Sequence, residues 1–261
     1  MQTRAFPMIG PVHLISRGPV STEPEHHAEH ITDILSTLKG PLLLNLEKGT
    51  RPAHALRVLE GARLAVLDLH PQDRMRANLS QKWRNQLNKA ERENLTILDQ
   101  PLNATQHSWF LDAEAAQQRQ RKYRSHPSAF LLAFAEANKG QARLLTAISD
   151  AGTAAAILIF RHGRMATYQA AVTTDIGRSV NAHNILLWQA MCDLQERGYQ
   201  QLDLGRADLT QGLTHFKLGT GARTISLSGS FVLHRWVSPK KPRSDAGAPR
   251  SLQDVPKGVQ L

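Results

Sequence analysis

A single cysteine among 261 residues rules out an internal disulfide framework and suits a reducing compartment. That residue, Cys192, lies in an apolar helical pattern, where a free thiol usually behaves as a small buried hydrophobe rather than a nucleophile. No run approaches the roughly 20 consecutive apolar residues that a membrane span needs. The N-terminal stretch lacks the basic and apolar segments of a secretory signal. A cytoplasmic location without integral membrane association is therefore expected. Acidic residues are in deficit, 22 against 32 Lys and Arg, giving a net charge of +10 and a pI near 10.2. The partner is thus expected to be anionic: RNA, a pyrophosphate-bearing cofactor or substrate, or an acidic membrane face. DNA is not among the expected partners.

Several chemistries are missing as motifs. No Gly-rich loop ends in Gly-Lys-Ser or Gly-Lys-Thr, which argues against a P-loop nucleotide enzyme. His183, Asp203 and Ser179 supply the residue types of a hydrolytic triad, but no Gly-x-Ser-x-Gly elbow accompanies them. His26 and His30 have the i, i+4 spacing of a metal pair, yet no third ligand follows at a usual spacing, so no metal is expected and a solvated helical face is the plainer reading.

What is present is an ordinary globular composition, 41% apolar and 21% charged, long enough for one large domain or two modest ones. The organising stretch is residues 153–219. Two apolar runs, 153–160 and 165–172, meet at Arg161–Arg164, a polar Gly-containing connection that reads as a hairpin. A helix from about Asn184 to Arg197 follows, with Leu187, Ala190, Met191 and Leu194 on one face and Gly198 at the position of a left-handed C-cap. Residues 200–205 then read as a buried strand. This order asks for a sheet with a helix packed on it and a ligand at the loop end.

Upstream, an extended segment over 7–19 precedes a helix over 25–38 and a strand over 42–46. Residues 51–60 read as a helix and 62–69 as a strand. Leu79, Trp83, Leu87 and Ala90 form an apolar stripe on one predicted helix, and Arg74, Arg76, Lys82, Arg84, Lys89 and Arg92 cluster in it and just before it. They offer either an anion-binding face or a solvated one. Two helices, from a cap at Thr105 toward Arg124 and over 128–138, lead to a strand over 142–149. Residues 223–236 alternate as one long final strand. The whole predicts an α+β (α/β-like) fold of mixed sheets flanked by helices. Three segments are expected: an N-terminal domain over 1–100, a C-terminal domain over 101–236, and a disordered basic tail over 237–261.

A family resemblance rests on an ordered set of short pieces. They are Trp83-Arg84 with Leu87 and Ala90-Glu91-Arg92; Asn181 to Asn184 with Leu186 to Trp188; Arg197 to Tyr199 with Asp203 to Gly205; and Gly212-Leu213 with Phe216-Lys217 and Gly219. Arg17 to Pro19 and Val66 to Leu69 extend it weakly. Together, over most of residues 10–235, the chain resembles the FemABX-like branch of the GNAT acyltransferase superfamily. That resemblance implies tandem GNAT-like domains, the first trimmed because the chain is short for the family. It also implies transfer of an acyl or aminoacyl group onto an amine, with no tightly bound cofactor. The donor would be aminoacyl-tRNA or acyl-CoA, and the acceptor an amine, a peptidoglycan precursor being one candidate.

The site residues follow from the resemblance and from chemistry. An ordinary GNAT holds the coenzyme A pyrophosphate on a Gly-rich turn entering a helix. The matching piece, Arg178 to His183, replaces glycines with Asn181 and His183, which leaves both donors open. Asn181 tolerates the left-handed conformation that glycine would supply. Amide formation needs a neutral amine, a route for its proton and stabilisation of a developing oxyanion. Lys217, Asp203 and Tyr168 are the catalytic candidates. Lys217 serves as a cation near the developing charge, Asp203 as an amine-orienting or proton-accepting group, and Tyr168 as a hydrogen-bonding one. Each also has a plain alternative: a surface lysine, a turn cap, a half-buried strand tyrosine. Arg178, Asn181, His183, Asn184, Arg206 and Phe216 are expected around the donor, and Arg84, Trp83 and Arg17 around the substrate, with Arg84 and Arg206 as phosphate clamps. The other class of function consistent with the charge is a non-catalytic GNAT-fold protein that binds RNA or an anionic cell-envelope precursor.

Overall fold

The computed structural model of the chain describes residues 1–18, 26–47, 51–52, 54–123 and 125–234. The elements in chain order are β1 (Gln2–Phe6), β2 (Gly10–Ser16), α1 (His27–Thr37), β3 (Leu42–Leu46), β4 (Leu56–Leu59), β5 (Arg63–Asp68), α2 (Gln72–Asn78), α3 (Gln81–Ala90), β6 (Thr96–Pro101) and α4 (Ser108–Arg121). They continue with α5 (Ser128–Ala137), β7 (Ala142–Ser149), β8 (Gly152–His162), β9 (Met165–Thr173), α6 (Asp175–Ser179), α7 (Ala182–Glu196), β10 (Gln201–Arg206), α8 (Gln211–Leu218), β11 (Arg223–Ser226) and β12 (Gly229–Leu233). Contacts group the chain into two units, Met1–Val58 with Ser230–Leu261, and Leu59–Gly229. The sequence pattern drew its line at residue 100, which falls inside β6. The expected tail over 237–261 lies outside the described residues.

The smaller, five-stranded sheet has the order β1-β2-β3-β12-β4 and is mixed, β1 running antiparallel and β3 parallel to β2. Alternate residues of β3 are buried, the period of a strand with one covered face. Ile31, Leu35 and Leu38 from the α1 segment close over Leu42, Leu44, Leu46, Phe231 and Leu233 to make this unit's core.

The larger sheet has seven strands in the order β11-β5-β10-β9-β8-β7-β6. Its interior strand β8 is buried from Ala154 to Arg161, which explains a continuous apolar run instead of an alternating one: helices cover both faces. On one face Leu186, Leu187, Met191 and Leu194 of α7 pack with Leu145, Ile157 and Ile159. On the other, Phe110 and Leu111 of α4 and Leu131 of α5 pack with Leu144, Leu158 and Phe160. The expected hairpin turns at Gly163 (φ 53°), and Gly198 (φ 80°) ends α7 as expected.

The feature that positions the site is where two strands part. β9 and β10 are parallel and pair from Met165↔Gln201 to Thr167↔Asp203, where the ladder stops although both strands continue. Beyond it β9 follows β8 across an irregularity that leaves Gln169 unmatched between Tyr168 and Ala170. β10, after its own irregularity between Asp203 and Arg206, follows β5. A bulge on each strand at one level opens a crevice at the carboxyl ends of a parallel pair, where α/β sheets place ligands.

Local pattern reading fails in places. Residues 56–59 form β4 instead of part of a helix. Pro52 and Gly61 leave too short a span to repay helix nucleation, and an edge-strand ladder supplies the hydrogen bonds. The basic stretch is two helices, α2 and α3, broken at Leu79 and Ser80, and Ser80 caps the second by accepting from Trp83 N. The long final strand is two strands, β11 and β12, belonging to different sheets, with Gly229 at φ 111°. β1, β6, α6 and α8 have no counterpart in the sequence reading.

Candidate active site

Lys217 closes the β10 side of the crevice. Thr210 caps α8 by accepting from Leu213 N, and the helix delivers Lys217 inward at 6% exposure. Its Nζ donates to the Arg206 carbonyl oxygen at 2.8 Å. Burial brings its pKa down from 10.5 to about 8, opposed by the charges of Asp203 and Asp208. Gly205, at φ 74°, bends the strand here, and a Cβ on it would lie 3.6 Å from Nζ. The Asp203 carboxylate, 6% exposed, accepts from Gly205 N at 2.7 Å and so holds the same bend. Arg206 turns its guanidinium to Asp208 at 2.9 Å, and Asp208 also accepts from Arg63 N. These contacts hold the Asp208 carboxyl below its usual range, the Arg206 hydrogen bond most of all.

A chain of rings lines the neighbouring wall. Tyr168 and His183 share a hydrogen bond of 2.5 Å. His183 meets Phe216 edge-on at 5.4 Å between centroids, and Phe216 leans on Trp83 at 6.0 Å. Four residues singled out from sequence are thus in one contact series. The Tyr168 and His183 rings keep some accessible surface but are so enclosed by protein that burial drives His183 down to about 4 and raises the Tyr168 phenol far above its usual value. Both are neutral near pH 7. Lys217 alone of the catalytic candidates has a resolved pKa shift that places its charge change near neutrality, which singles it out.

The turn between β9 and α7 is built without the expected glycines. Thr174 caps α6 by accepting from Gly177 N and donates to Ala154 O. Gly177 lies so close to β8 that a Cβ would sit 2.0 Å from that carbonyl. Asn181 adopts φ 53° and begins α7 with no side-chain cap. Asn184, one turn in, is 5% exposed and its Nδ2 has no partner. Arg178 folds onto Asp175 and the Thr173 carbonyl, and Lys89 donates to Ser179 O at 2.8 Å.

Other expected groups are engaged elsewhere. Arg84 donates through Nη2 to Ala77 O and Leu79 O, both at 3.0 Å, and thereby tethers the end of α2. Arg17 lies in the unit of residues 1–58 and pairs with Glu47 at 3.3 Å. Arg76 forms a two-pronged pair with Glu91, both contacts at 2.7 Å.

Residues that the sequence reading missed border a cleft of about 700 Å³ between α4 and the ends of β8 and β9. Trp109, Gln117, Val172 and Thr173 line it, together with Arg178, which the sequence reading placed at the donor. Gln117 donates to Ala171 O on β9, beyond the point where β10 has left, and also to Tyr123 Oη. Glu114 beside it is 2% exposed and accepts from Gln118 at 2.6 Å and Tyr123 at 3.4 Å. These residues sit in a run of Ala, Gln and charged residues without apolar contrast, so no periodicity marked which would turn inward.

The acetyltransferase (GNAT) domain family matches residues 73–222, more than half the chain. Among solved structures, FemX superposes with a TM-score of 0.68 at 11% identity, over 88% of this chain and 82% of that one. The C-terminal domain of a putative lysylphosphatidylglycerol synthetase from Agrobacterium fabrum gives 0.55 at 14% identity, over 85% and 76%. A structure titled L-PGS from Bacillus licheniformis gives 0.51 at 12%, over 86% and 77%. At such identities these likenesses speak for fold. No curated protein matches by sequence.

Proposed function

Since the chain belongs to the acetyltransferase (GNAT) domain family, we propose that it is an N-acyltransferase of FemABX-like type, moving an acyl or aminoacyl group from an anionic donor to an amine. The observation that carries this reading is Lys217: a buried lysine of lowered pKa, held at the bend of β10 where β9 and β10 part. A neutral acceptor amine attacks the donor's ester or thioester carbonyl, negative charge develops on its oxygen, and as the C–N bond forms the C–O or C–S bond breaks, the proton lost by the amine nitrogen ending on the leaving alkoxide or thiolate. Cationic Lys217 stabilises that charge, and a buried donor acts in a medium where the attraction is worth far more than in water. Asp203 positions the bend that presents Lys217. The Tyr168–His183 pair, neutral at pH 7, offers hydrogen bonds to donor or acceptor.

Acyl-CoA and aminoacyl-tRNA both remain donors under this reading, and the acceptor is an amine, a peptidoglycan precursor among the candidates. The small unit of residues 1–58 and 230–261 is read as the trimmed partner domain, and the protein as cytoplasmic. No described helix is long and apolar enough to cross a membrane. The non-catalytic alternative loses support, since Arg84 and Lys89, the proposed anion contacts of the basic helix, already donate to protein carbonyls.

The test is binding and turnover of the full chain with a panel of acyl-CoAs and of aminoacylated and deacylated tRNAs at two salt concentrations, beside Lys217→Ala. Selective donor binding in both proteins, with turnover lowered about 10²-fold or more in the variant, is expected. Full turnover by Lys217→Ala would remove this assignment. A steep loss of tRNA binding with salt and no acyl transfer would favour the binding protein.

A further inference from the structure

A second cleft, of about 490 Å³, opens at the opposite end of the larger sheet, where β8 turns into β9 and α7 gives way to β10. It lies at the Met165 end of β9, whereas the crevice opens beyond Thr167, on the Thr173 side of the paired stretch. Four cationic side chains line it: Lys139, Arg161, Arg164 and Arg197. Only two carboxylates neutralise this group. Asp193 pairs with Arg161 at 2.5 Å and with Arg197 at 2.7 Å. Asp99 lies 3.9 Å from Arg161 and is held more closely, at 2.9 Å, by Arg143. Lys139 and Arg164 have no carboxylate partner among the described residues.

Arg161 is the unusual member. It is 9% exposed, and its buried Nε has no hydrogen-bond partner. That Nε is itself shut off from the cleft, so what Arg161 brings to the cleft wall is a fixed positive charge, its Nη2 held by Asp193. The wall beside it is bare backbone. Gly140, Gly163 and Gly198 line the cleft, and the space where each would carry a Cβ is empty. A ligand can therefore approach main-chain groups as well as the guanidinium forks, the combination that suits a tetrahedral oxyanion.

We propose that this cleft binds the phosphate of a small phosphorylated molecule, such as a nucleotide or a sugar phosphate, at a site separate from the crevice that carries Lys217. Its volume suits a small molecule, and its excess positive charge is gathered around the partly buried Arg161 and Asp193 pair.

The experiment is calorimetric titration of the full chain with inorganic pyrophosphate, ADP and glucose 6-phosphate, and separately with a 12-nucleotide RNA, against the double variant Lys139→Ser, Arg164→Ser. Both substituted residues are exposed, and an unchanged melting temperature will confirm folding. Saturable one-to-one binding of at least one small probe, weakened tenfold or more in the double variant, is expected. ADP binding more tightly than pyrophosphate identifies a nucleotide site; glucose 6-phosphate binding best identifies a sugar phosphate; equal affinities identify recognition of phosphate alone. No saturable binding by any small probe overturns the proposal. So does equal binding by both proteins, which would place the anion elsewhere on this basic chain, and so does binding of RNA alone.

Discussion

A lysine at 6% exposure whose Nζ meets a carbonyl oxygen is held against its own charge. Its folded pKa of about 8 lies below the ordinary 10.5, so between those values the folded chain binds fewer protons than the unfolded chain. Stability from this group is therefore present above pH 10.5 and lost as pH falls toward 8. Lys217→Met should consequently be more stable than the parent at pH 7, by an amount on the order of 3 kcal/mol before the lost hydrogen bond is subtracted. The advantage should shrink between pH 8 and 10.5. Denaturant melts at pH 7 and pH 10 would check this, and an unchanged difference would mean that the lysine is not desolvated. If the cation acts in transfer, kcat at saturating acceptor should decline above about pH 8. Cys192, 5% exposed and pushed up to about 11, chiefly by burial, should resist a thiol reagent at pH 8 until the protein unfolds. Rapid labelling of the folded chain would contradict its place in the core.

At the scale of elements, the β9–α6–α7 connection is a rigid joint. Gly177 has no room for a methyl group, because the contact is to the Ala154 carbonyl, a backbone atom that cannot swing aside. Gly177→Ala should therefore cost about 2 kcal/mol or more, a drop in melting temperature of about 4–8 °C. It should also weaken donor binding, since the same joint sets Asn181 and the start of α7. A melting temperature within a degree of the parent would show that α6 is free to move. Gly219 makes a similar close approach: a Cβ there would lie 2.9 Å from Trp83 Cδ1. α8 is seated on the start of α3, where Ser80 N donates to Gly219 O at 2.9 Å.

For the whole molecule, the resolved shifts of the acids and histidines add up with one sign on the acid side. Buried His183 and His107 have folded values below the ordinary 6.5. They stay neutral in the fold, and their stability contribution is lost as pH falls through 6.5. Asp68, Glu91 and Asp208 are lowered mainly by hydrogen bonds from Arg223, Arg76 and Arg206. Their contribution is present above the ordinary carboxylate range and lost as pH falls through the folded values. The melting temperature should thus fall from pH 7 to pH 4.5 as the histidines' contribution is lost, and further below pH 4.5 as the carboxylates' is; a flat profile over either range would mean that the groups titrating there are not held as described. The net charge of +10 adds self-repulsion in the same direction, since protonating carboxylates only increases it.

Local pattern alone determined the central hairpin, α7 with its Gly198 end, β3, β5, β7 and the helical character of α4 and α5. In each, one covered face or a fully buried run writes its period directly into the residues. The family resemblance of an ordered set of short pieces marked Lys217, Asp203, His183 and Phe216, and chemistry added Tyr168. What the pattern could not decide was whatever depends on partners distant in sequence. Residues 56–59 became an edge strand because a ladder was available, and residues 223–233 were divided between two sheets at a residue with positive φ. Glu114 was buried and Gln117 turned to Ala171 of β9 by a helix whose residues carry almost no apolar contrast. The tertiary structure likewise decided the lowered pKa of Lys217 and the crevice beside it. Desolvation and the parting of β9 from β10 arise only when segments tens of residues apart are brought together, and no window of sequence contains both.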